Sequence, residues 1–251
     1  MNTITSLENE KIKHLAKLNN KKERDRSGEF TVENIKTISD ALVSGIKPLA
    51  VFISEELANS SDQRIKEIIS QVAEIYTINK KINQKISNLE TPSGIMAVFK
   101  KLTGKINTSQ KNIYLNGIND PGNLGTILRT ALALGFKNIV MDEGCADVYN
   151  YKTINASKDA ILKLNLILDK QLEVFHQLKK VMPVYATNLD KGHDPKIIKE
   201  SKFCLVFGGE ASGVNKEILA KANKFIKLEM SGEIESLNVA VACGIILYQL
   251  R

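Results

Sequence analysis

The sequence predicts an α/β protein of two domains, a small front domain over residues 1–99 and a larger domain over residues 112–251. Three observations carry this prediction. The chain has 251 residues, more than the roughly 100–150 of a typical domain. In its second part, short apolar segments alternate with helical patterns, which favours a mostly parallel sheet with helices on both faces. Between the two parts, Lys100–Lys111 is polar and lacks periodicity, which is typical of a linker.

Composition excludes several other classes of protein. Hydrophobic residues make up 43% and charged residues 25%, which excludes a disordered, collagen-like or disulfide-scaffold chain. The longest apolar stretch, Val239–Tyr248, is shorter than the ~20 residues that span a bilayer. No basic patch followed by an apolar core opens the chain, so we expect a cytoplasmic protein.

The cysteines and histidines predict no metal site. The three histidines are scattered and give no zinc spacing, so no metal is expected. The cysteines lie far apart among apolar neighbours, and we expect reduced core thiols at Cys145, Cys204 and Cys243.

The front domain shows its own alternation of helices and strands. Thr5 and Glu8 form a capping-box pattern ahead of a helix with lysines on one face and an apolar stripe on the other. Two further amphipathic helices are expected, around Ile35–Leu42 and Ile65–Val72. The expected strands are Glu29–Val32, Leu49–Ile53, Ile75–Ile78 and Gly94–Phe99.

A basic balance suggests a polyanionic partner without identifying one. The formal net charge is +7, and basic residues are densest in the opening helix. A solvated helix face and a nucleic-acid contact are equally compatible with charge alone. The candidate residues for a nucleic-acid contact, which the family resemblance described below makes an RNA contact, are Lys11, Lys21, Lys22, Arg24 and Arg26.

In the larger domain, three loops stand where a parallel sheet binds ligands, at the carboxyl ends of strands. The expected strands are Ile113–Leu115, Ile139–Met141, Pro183–Ala186, Phe203–Phe207 and Phe225–Leu228. The first loop, Asn116–Gly125, is rich in glycine, which permits close approach of backbone to a ligand. Asn123 is the expected cap of the helix that follows. Arg129 points away from the apolar stripe of that helix, as a surface arginine or as a partner for a phosphate.

The second loop, Val206–Asn215, is also rich in glycine but is not a P-loop. Val214 and Asn215 stand where a P-loop needs Lys and Ser or Thr. Glu210 within it suits a cationic or hydroxyl-bearing ligand better than a phosphate.

The third loop, Ser231–Glu235, follows a strand in which Ile226, Leu228 and Met230 alternate. From Leu237 the last helix is apolar on nearly all sides and must be buried. One domain offers too little cover for such a helix at its end, so we expect a homodimer. Ser236 and Asn238 stand at the helix start, where polar side chains cap backbone or hold ligand.

Taken together, the three loops resemble the SpoU (TrmH-type) family of S-adenosylmethionine-dependent RNA ribose methyltransferases, in the SPOUT superfamily. The resemblance covers residues 112–251 and is carried by Asn119–Gly125 with Arg129, Phe207–Glu210 through Gly213, and Ser236–Ala240. More loosely, Gly28–Glu33 and Thr91–Gly94 make the front domain similar to the family's small RNA substrate-binding domain.

This resemblance implies a sheet whose C-terminal segment is threaded into a trefoil knot, and a homodimer. It implies that S-adenosylmethionine contacts backbone near Thr187, Gly208, Leu228, Met230 and Leu237. It implies that the reacting centre gathers Arg129, Asn123, Glu210, Ser236 and Asn238. The sequence departs from the family pattern at several positions: Gly209 stands where Asn is frequent, Ala211 where a glycine is usual, Asn150–Lys152 where Ser-Pro-Lys is usual, Asn155 where Arg is usual, and Lys158-Asp159 where Met-Gly is usual.

The expected reaction is therefore methyl transfer to a ribose 2′-hydroxyl of RNA, with ribosomal RNA first and transfer RNA second. In the family, the motif-one arginine is the proposed base, but guanidinium groups are poor bases, so Arg129 could instead orient phosphate and hydroxyl. A non-catalytic RNA-binding or assembly protein that retains the fold is the alternative. Nucleotide hydrolysis is disfavoured because the P-loop residues are missing.

Overall fold

The computed structural model describes residues 1–251 and divides into two compact units. Unit 1 consists of Met1–Lys101 and Tyr149–Asn155, and unit 2 of Leu102–Val148 and Ala156–Arg251. Each unit contains one sheet. None of the helices combines the length and the apolar character that crossing a membrane requires.

Unit 1 is built on a five-stranded mixed sheet in the order β1-β4-β3-β5-β2. Its strands are β1 (Asn2–Ile4), β2 (Glu29–Val32), β3 (Ala50–Ser54), β4 (Ile75–Ile78) and β5 (Ile95–Lys100). Its helices are α1 (Glu10–Lys17), α2 (Lys21–Ser27), α3 (Ile35–Val43), α4 (Glu55–Ala58), α5 (Gln63–Gln71) and α6 (Lys80–Ile86). Strands β1, β4 and β3 are parallel, whereas β5 is antiparallel to both β3 and β2.

The predictions for unit 1 hold for the strands and fail at the beginning of the chain. Strands β2 and β4 have the predicted bounds, and β3 and β5 are shifted by one residue. The capping box at Thr5 and Glu8 is wrong, because α1 begins at Glu10 with Asn9 as its cap. Residues 2–4 instead pair with β4 as a strand that the sequence did not reveal.

The basic segment at the beginning of the chain forms two helices, α1 and α2, rather than one. One of the RNA-binding candidates, Arg24, is buried where they meet. Asn20 interrupts the segment and caps α2 by accepting a hydrogen bond from the Lys22 backbone nitrogen. Arg24 on α2 is 5% exposed, and its Nη1 donates to the Leu18 carbonyl oxygen over 2.7 Å. The placement of Arg24 on an exposed basic face is therefore wrong, because its guanidinium ties the two helices together.

Unit 2 is built on a six-stranded sheet in the order β11-β9-β10-β6-β7-β8, and every pair in it is parallel. Its strands are β6 (Asn112–Asn116), β7 (Asn138–Met141), β8 (Asn165–Leu168), β9 (Val184–Thr187), β10 (Cys204–Gly208) and β11 (Lys224–Ile226). Its helices are α7 (Pro121–Ala133), α9 (Ala160–Lys163), α10 (Glu173–Val181), α11 (Lys216–Lys221) and α12 (Val239–Gln249), and α8 (Tyr151–Ser157) precedes α9. The predicted parallel α/β sheet is confirmed, with β8 as a strand that the sequence reading missed.

Two helix starts in unit 2 bear on the site. Helix α7 is capped by Asp120, whose Oδ1 accepts from the Asn123 backbone nitrogen over 2.7 Å, so the prediction of Asn123 as the cap is wrong. Pro121 is the first helical residue, where its missing N–H costs nothing. Helix α12 begins at Val239, and Asn238 is its cap. Both caps leave polar side chains at the same edge of the sheet.

Helix α12 is not buried on all sides within one chain. Cys243 and Leu247 lie in the core, whereas Val241, Ile245 and Tyr248 are 51%, 40% and 57% exposed. The predicted strand through Leu228 and Met230 is also shorter than expected, because β11 ends at Ile226.

A row of asparagines fixes the opposite, amino-terminal edge of this sheet. Asn112, Asn138 and Asn165 are aligned in register at the starts of three neighbouring strands. Asn165 Nδ2 donates to Asn138 Oδ1 over 2.9 Å and to the Lys105 carbonyl over 2.8 Å. The predicted linker has no helix or strand from residue 101 to 111, yet its part in unit 2 is bound to this row.

Candidate active site

A cavity of about 370 Å³ opens at the carboxyl ends of β9, β10 and β11 and is closed on one side by α12. Its volume lies in the range typical of small-molecule sites. The strand-end rule therefore located the cavity correctly. The lining includes every predicted cofactor contact: Thr187, Gly208, Leu228, Met230 and Leu237.

Two glycines permit close packing of the second loop: Gly208 against the far end of the same loop, and Gly209 against the first loop. A Cβ on Gly208 would lie 2.2 Å from the Gly213 carbonyl carbon, and a Cβ on Gly209 would lie 2.2 Å from the Gly117 carbonyl oxygen. Real side chains do not tolerate such distances. Gly209 is thus required by this packing, which explains why no asparagine stands there.

Three of the predicted catalytic residues form one hydrogen-bonded network beside the cavity. Asn238 Nδ2 donates to Glu210 Oε1 over 2.7 Å and to Asn123 Oδ1 over 2.9 Å. Asn123 Nδ2 donates to the same Glu210 oxygen over 3.3 Å, as does the Val239 backbone nitrogen. One carboxylate oxygen thus joins the first loop, the second loop and the start of α12.

The other two predicted catalytic residues are placed differently. Ser236 lines the cavity together with Glu210 and is exposed. Arg129, on α7, is exposed and forms no hydrogen bond or ion pair in the chain. Its guanidinium is therefore free to meet an external anion.

Sequence reasoning missed part of the cavity wall. The turn after β9 contributes Asn188, Leu189 and Asp190 to the lining. This turn directly follows a strand that was predicted, so the strand-end rule could have found it. Leu189 is 60% exposed although apolar, which places an uncovered hydrophobic side chain at the cavity rim.

Burial raises the pKa of two ionisable side chains in unit 2. Burial raises the pKa of the Cys145 thiol to about 12, with Asp142 beside it adding to the effect. Burial also raises the pKa of Tyr114, whose hydroxyl donates to Asp169 Oδ2 over 2.8 Å. These groups stay protonated at neutral pH and act as hydrogen-bond donors. No cluster of three or more His, Cys, Asp or Glu side chains could hold a metal ion.

The remaining RNA-binding candidates on unit 1 differ in their partners. Lys11 lies 3.5 Å from Glu74 Oε2, Lys21 2.9 Å from Asp25 Oδ2, and Arg26 2.5 Å from Glu23 Oε1. Lys22 is exposed and forms no ion pair. Of the predicted set, Lys22 is therefore the residue whose charge is uncompensated.

A second basic group was missed in the sequence. Lys80, Lys81 and Lys85 on α6 are exposed and form no ion pairs, and α6 carries no acidic residue. Helices α1 and α6 share one hydrophobic cluster through Leu15 and Ile82. The run KKINQK could have been noticed as a lysine-rich helix.

Comparison with known proteins shows that the chain is an RNA methyltransferase. Residues 110–248 match the family model described as the SpoU rRNA Methylase family, which is more than half of the chain. The chain belongs to this SpoU family. Residues 9–97 match a second model, the MRM3-like substrate binding domain.

Relatives with this architecture are named as ribosomal RNA methyltransferases. The chain is 32% identical over 253 residues, covering 100% of both chains, to the 23S rRNA (guanosine(2553)-2′-O)-methyltransferase RlmP of Bacillus subtilis. It is 27% identical to the mitochondrial rRNA methyltransferase 3A of Danio rerio, over 91% of this chain and 65% of the relative.

A solved structure confirms the fold class over the full length. An AdoMet-bound rRNA methyltransferase from Sinorhizobium meliloti superposes with a TM-score of 0.86 at 26% identity, covering 99% of this chain and 97% of the other. The expected family, the α/β fold with a parallel sheet and the cofactor type are thereby confirmed.

Proposed function

We propose that the protein transfers the methyl group of S-adenosylmethionine to a ribose 2′-hydroxyl of ribosomal RNA. The observation that carries this proposal is the cavity beside the Glu210–Asn123–Asn238 network, formed by the three loops that carry the family motifs. RlmP, named as a 2′-O-methyltransferase of 23S rRNA, aligns with the whole chain.

The residues of the cavity fit the methyl donor. Gly208 and Gly209 line the cavity without side chains that would fill it, and Leu228, Leu237 and Ile246 supply an apolar wall for a purine. Glu210 places a carboxylate in the cavity lining, where its negative charge favours a sulfonium cation. When bound, S-adenosylmethionine supplies a methyl group that its positive sulfur already activates, so the chain needs to supply orientation and proton removal.

Arg129 acts on the RNA in this proposal. Its free guanidinium binds a backbone phosphate and orients the attacking hydroxyl, because guanidinium groups remain protonated and are poor general bases. The hydroxyl proton is then released to that phosphate or to solvent water as the oxygen–methyl bond forms and the sulfur–methyl bond breaks. Ser236, an exposed residue of the cavity lining, holds the ribose by a hydrogen bond, while Asn238 keeps Glu210 and Asn123 in place beside the cavity. A ribose 2′-hydroxyl as the acceptor makes RNA rather than DNA the substrate.

Unit 1 docks the RNA through phosphate contacts. Lys22 and the lysines of α6 are exposed and uncompensated, so they can neutralise phosphates and release counterions. Binding is then strongly dependent on salt concentration. Ribosomal RNA is the proposed substrate, and transfer RNA is the alternative.

The assembly and threading of the chain are also part of the proposal. Val241, Ile245 and Tyr248 form an exposed apolar face on α12 that a second copy would cover, giving a homodimer. The segment from β11 through α12 is proposed to form the trefoil knot of the family. We also propose a cytoplasmic location, which the free cysteines and a ribosomal RNA substrate support.

Two measurements test the function. Titration calorimetry with S-adenosylmethionine should give saturable binding, and mapping of 2′-O-methylation should reveal one ribosomal RNA position that is unmodified in cells lacking the gene. Methylation confined to transfer RNA would change the substrate. Absence of both binding and methylation would favour the alternative, a non-catalytic RNA-binding or assembly protein.

A further inference from the structure

The side chain of Asn116, at the end of central strand β6, connects three segments of unit 2. It is 7% exposed. Asn116 Oδ1 accepts from the Asn215 backbone nitrogen over 2.6 Å, and Asn116 Nδ2 donates to Asp142 Oδ2. The Asn116 carbonyl oxygen accepts from the Gly209 backbone nitrogen over 2.9 Å.

These bonds attach both ends of the second glycine loop to one residue. Residues 209–215 leave β10 at Gly209 and enter α11 after Asn215. The Gly213 backbone nitrogen donates to the Gly209 carbonyl over 2.9 Å, which closes the loop on itself. Glu210 lies inside this closed loop, so its position relative to the cavity depends on where the two loop ends are held.

Asp142 sets the orientation of the Asn116 amide. Asp142 Oδ1 accepts from the Gly117 backbone nitrogen over 2.9 Å and from the Gly144 backbone nitrogen over 3.1 Å. A carboxylate only accepts hydrogen bonds, so the Asn116 nitrogen must face Asp142 and its oxygen must face Asn215. The amide therefore has a single orientation that satisfies both neighbours.

We infer that Asn116, oriented by Asp142, is a positioning residue for the methyl-donor pocket, because it holds the loop of residues 209–215 in place. This inference rests on the proposed function. Asn116 does not line the cavity and touches neither substrate nor donor; it acts through Gly209 and Asn215.

Exchanging the two side-chain types tests the inference. Asn116→Asp alone places two carboxylates against each other. Asp142→Asn alone leaves a single acceptor oxygen at residue 142, for which the donors of Asn116, Gly117 and Gly144 compete. The double variant N116D/D142N restores every donor–acceptor pair with the roles reversed. We expect each single variant to raise the Kd and KM for S-adenosylmethionine about 10- to 100-fold. The double variant should return to within about threefold of the wild type.

A matched control separates positioning from general stability. Asn138→Asp makes the same change at a buried amide on neighbouring β7, at the amino edge away from the cavity. It should lower the melting temperature while the KM for S-adenosylmethionine stays unchanged. The KM for RNA should be unchanged in all these variants.

A second readout does not depend on catalysis or on the donor. Hydrogen exchange at the Asn215 amide, which donates to the Asn116 side chain, should accelerate in Asp142→Asn, while the Leu205 amide in β10 keeps its protection. Single variants that match the wild type in both exchange and donor affinity would overturn the inference, as would a double variant no better than the singles. If the wild type bound no donor, the proposed function would fail, while the exchange data would still decide whether Asn116 holds the loop.

Discussion

Asn238 and Glu210 are joined by a 2.7 Å hydrogen bond from the asparagine side-chain nitrogen to the carboxylate, while the oxygen of the same asparagine caps α12. The start of the last helix and the acid of the second loop are thus held by one side chain. Because α12 also closes the cavity, the cap fixes a wall of the donor pocket relative to its acid.

The charge of Glu210 strengthens the bonds from Asn123, Asn238 and the Val239 nitrogen, because charge-assisted hydrogen bonds are about twice as strong as neutral ones. Glu210→Gln should therefore lower kcat/KM roughly 10- to 100-fold. Methyl transfer from labelled donor to RNA measures the effect. Glu217→Gln, a change at an exposed carboxylate paired with Lys221, is the control and should leave the rate unchanged. Equal rates for both variants would contradict the assigned role.

Arg129 is expected to serve the RNA and not the donor. Arg129→Ala and Arg129→Lys should abolish turnover, because the planar guanidinium fork cannot be replaced by an ammonium. Calorimetry should show donor affinity within about twofold of wild type, since Arg129 does not line the cavity. Lys137→Ala removes the same charge from an exposed position and should remain active. Retained turnover in Arg129→Ala would exclude it from the mechanism.

The uncompensated lysines of unit 1 should dominate RNA affinity. Lys22→Ala and Lys81→Ala should each weaken RNA binding and reduce the slope of log K against log salt by about 1. Filter binding at several salt concentrations measures both quantities. Lys36→Ala, at a lysine paired with Asp40 over 2.9 Å, is the matched control. An unchanged salt slope in the first two variants would place the RNA elsewhere.

Gly209 should not tolerate any side chain. Gly209→Ala forces Cβ against the Gly117 carbonyl, and such overpacking costs about 1–3 kcal/mol. The melting temperature and donor affinity should both fall. In Gly244→Ala the new Cβ would meet only the Thr130 methyl at 3.6 Å, so this change in α12 should be neutral or stabilising by roughly 0.5–1 kcal/mol. Thermal unfolding of the two variants measures the difference. Equal melting temperatures would show that the loop carrying Gly209 can move away from the Gly117 carbonyl without cost.

Stability should fall in mild alkali because of the buried thiols. Burial raises the pKa of Cys204 to about 12 and also raises the pKa of Cys243, whereas free cysteine ionises near about 8.5. Since the folded pKa values are the higher ones, the stabilisation is complete below about pH 8.5 and is lost as pH rises towards 12. Urea unfolding at pH 8 and pH 10 measures the loss, and the C204A/C243A variant should show a flatter dependence. An equal slope in that variant would assign the effect to other groups.

Local patterns predicted those parts of the molecule that depend on local chemistry. β2 and β4 were placed correctly because apolar residues in short runs between polar segments define buried strands. The cavity was found because parallel strands necessarily end at one edge, which brings Thr187, Gly208 and Leu228 together. Local patterns did not predict the helix caps or the burial of Arg24. Asn9 and Asp120 cap α1 and α7 in place of the expected residues. Arg24 is buried because its guanidinium donates to the Leu18 carbonyl oxygen.

Tertiary pairing also explains the remaining differences. β1 and β8 became strands through partners in the sheet rather than through strong local periodicity. The pairing of Asn116 with Asp142 joins residues far apart in sequence whose types give no sign of each other. The exposed face of α12 could be anticipated only as an excess of apolar residues, without knowing which of them would remain uncovered.

Unit 1 consists of two separate stretches of chain, because Tyr149–Asn155 belongs to it as well as Met1–Lys101. The ring centroids of Tyr149 and Phe30 are 4.6 Å apart. Lys101 Nζ lies 5.0 Å from the centroid of the Tyr149 ring. Deletion of residues 1–99 would remove Phe30 and leave Tyr149 without its ring neighbour. Point variants are therefore better probes of the role of unit 1 in RNA binding. By the same reasoning, a fragment that ends at Lys101 would lack the second stretch of unit 1, so any attempt to excise unit 1 must retain residues 149–155 or redesign the surface that they cover.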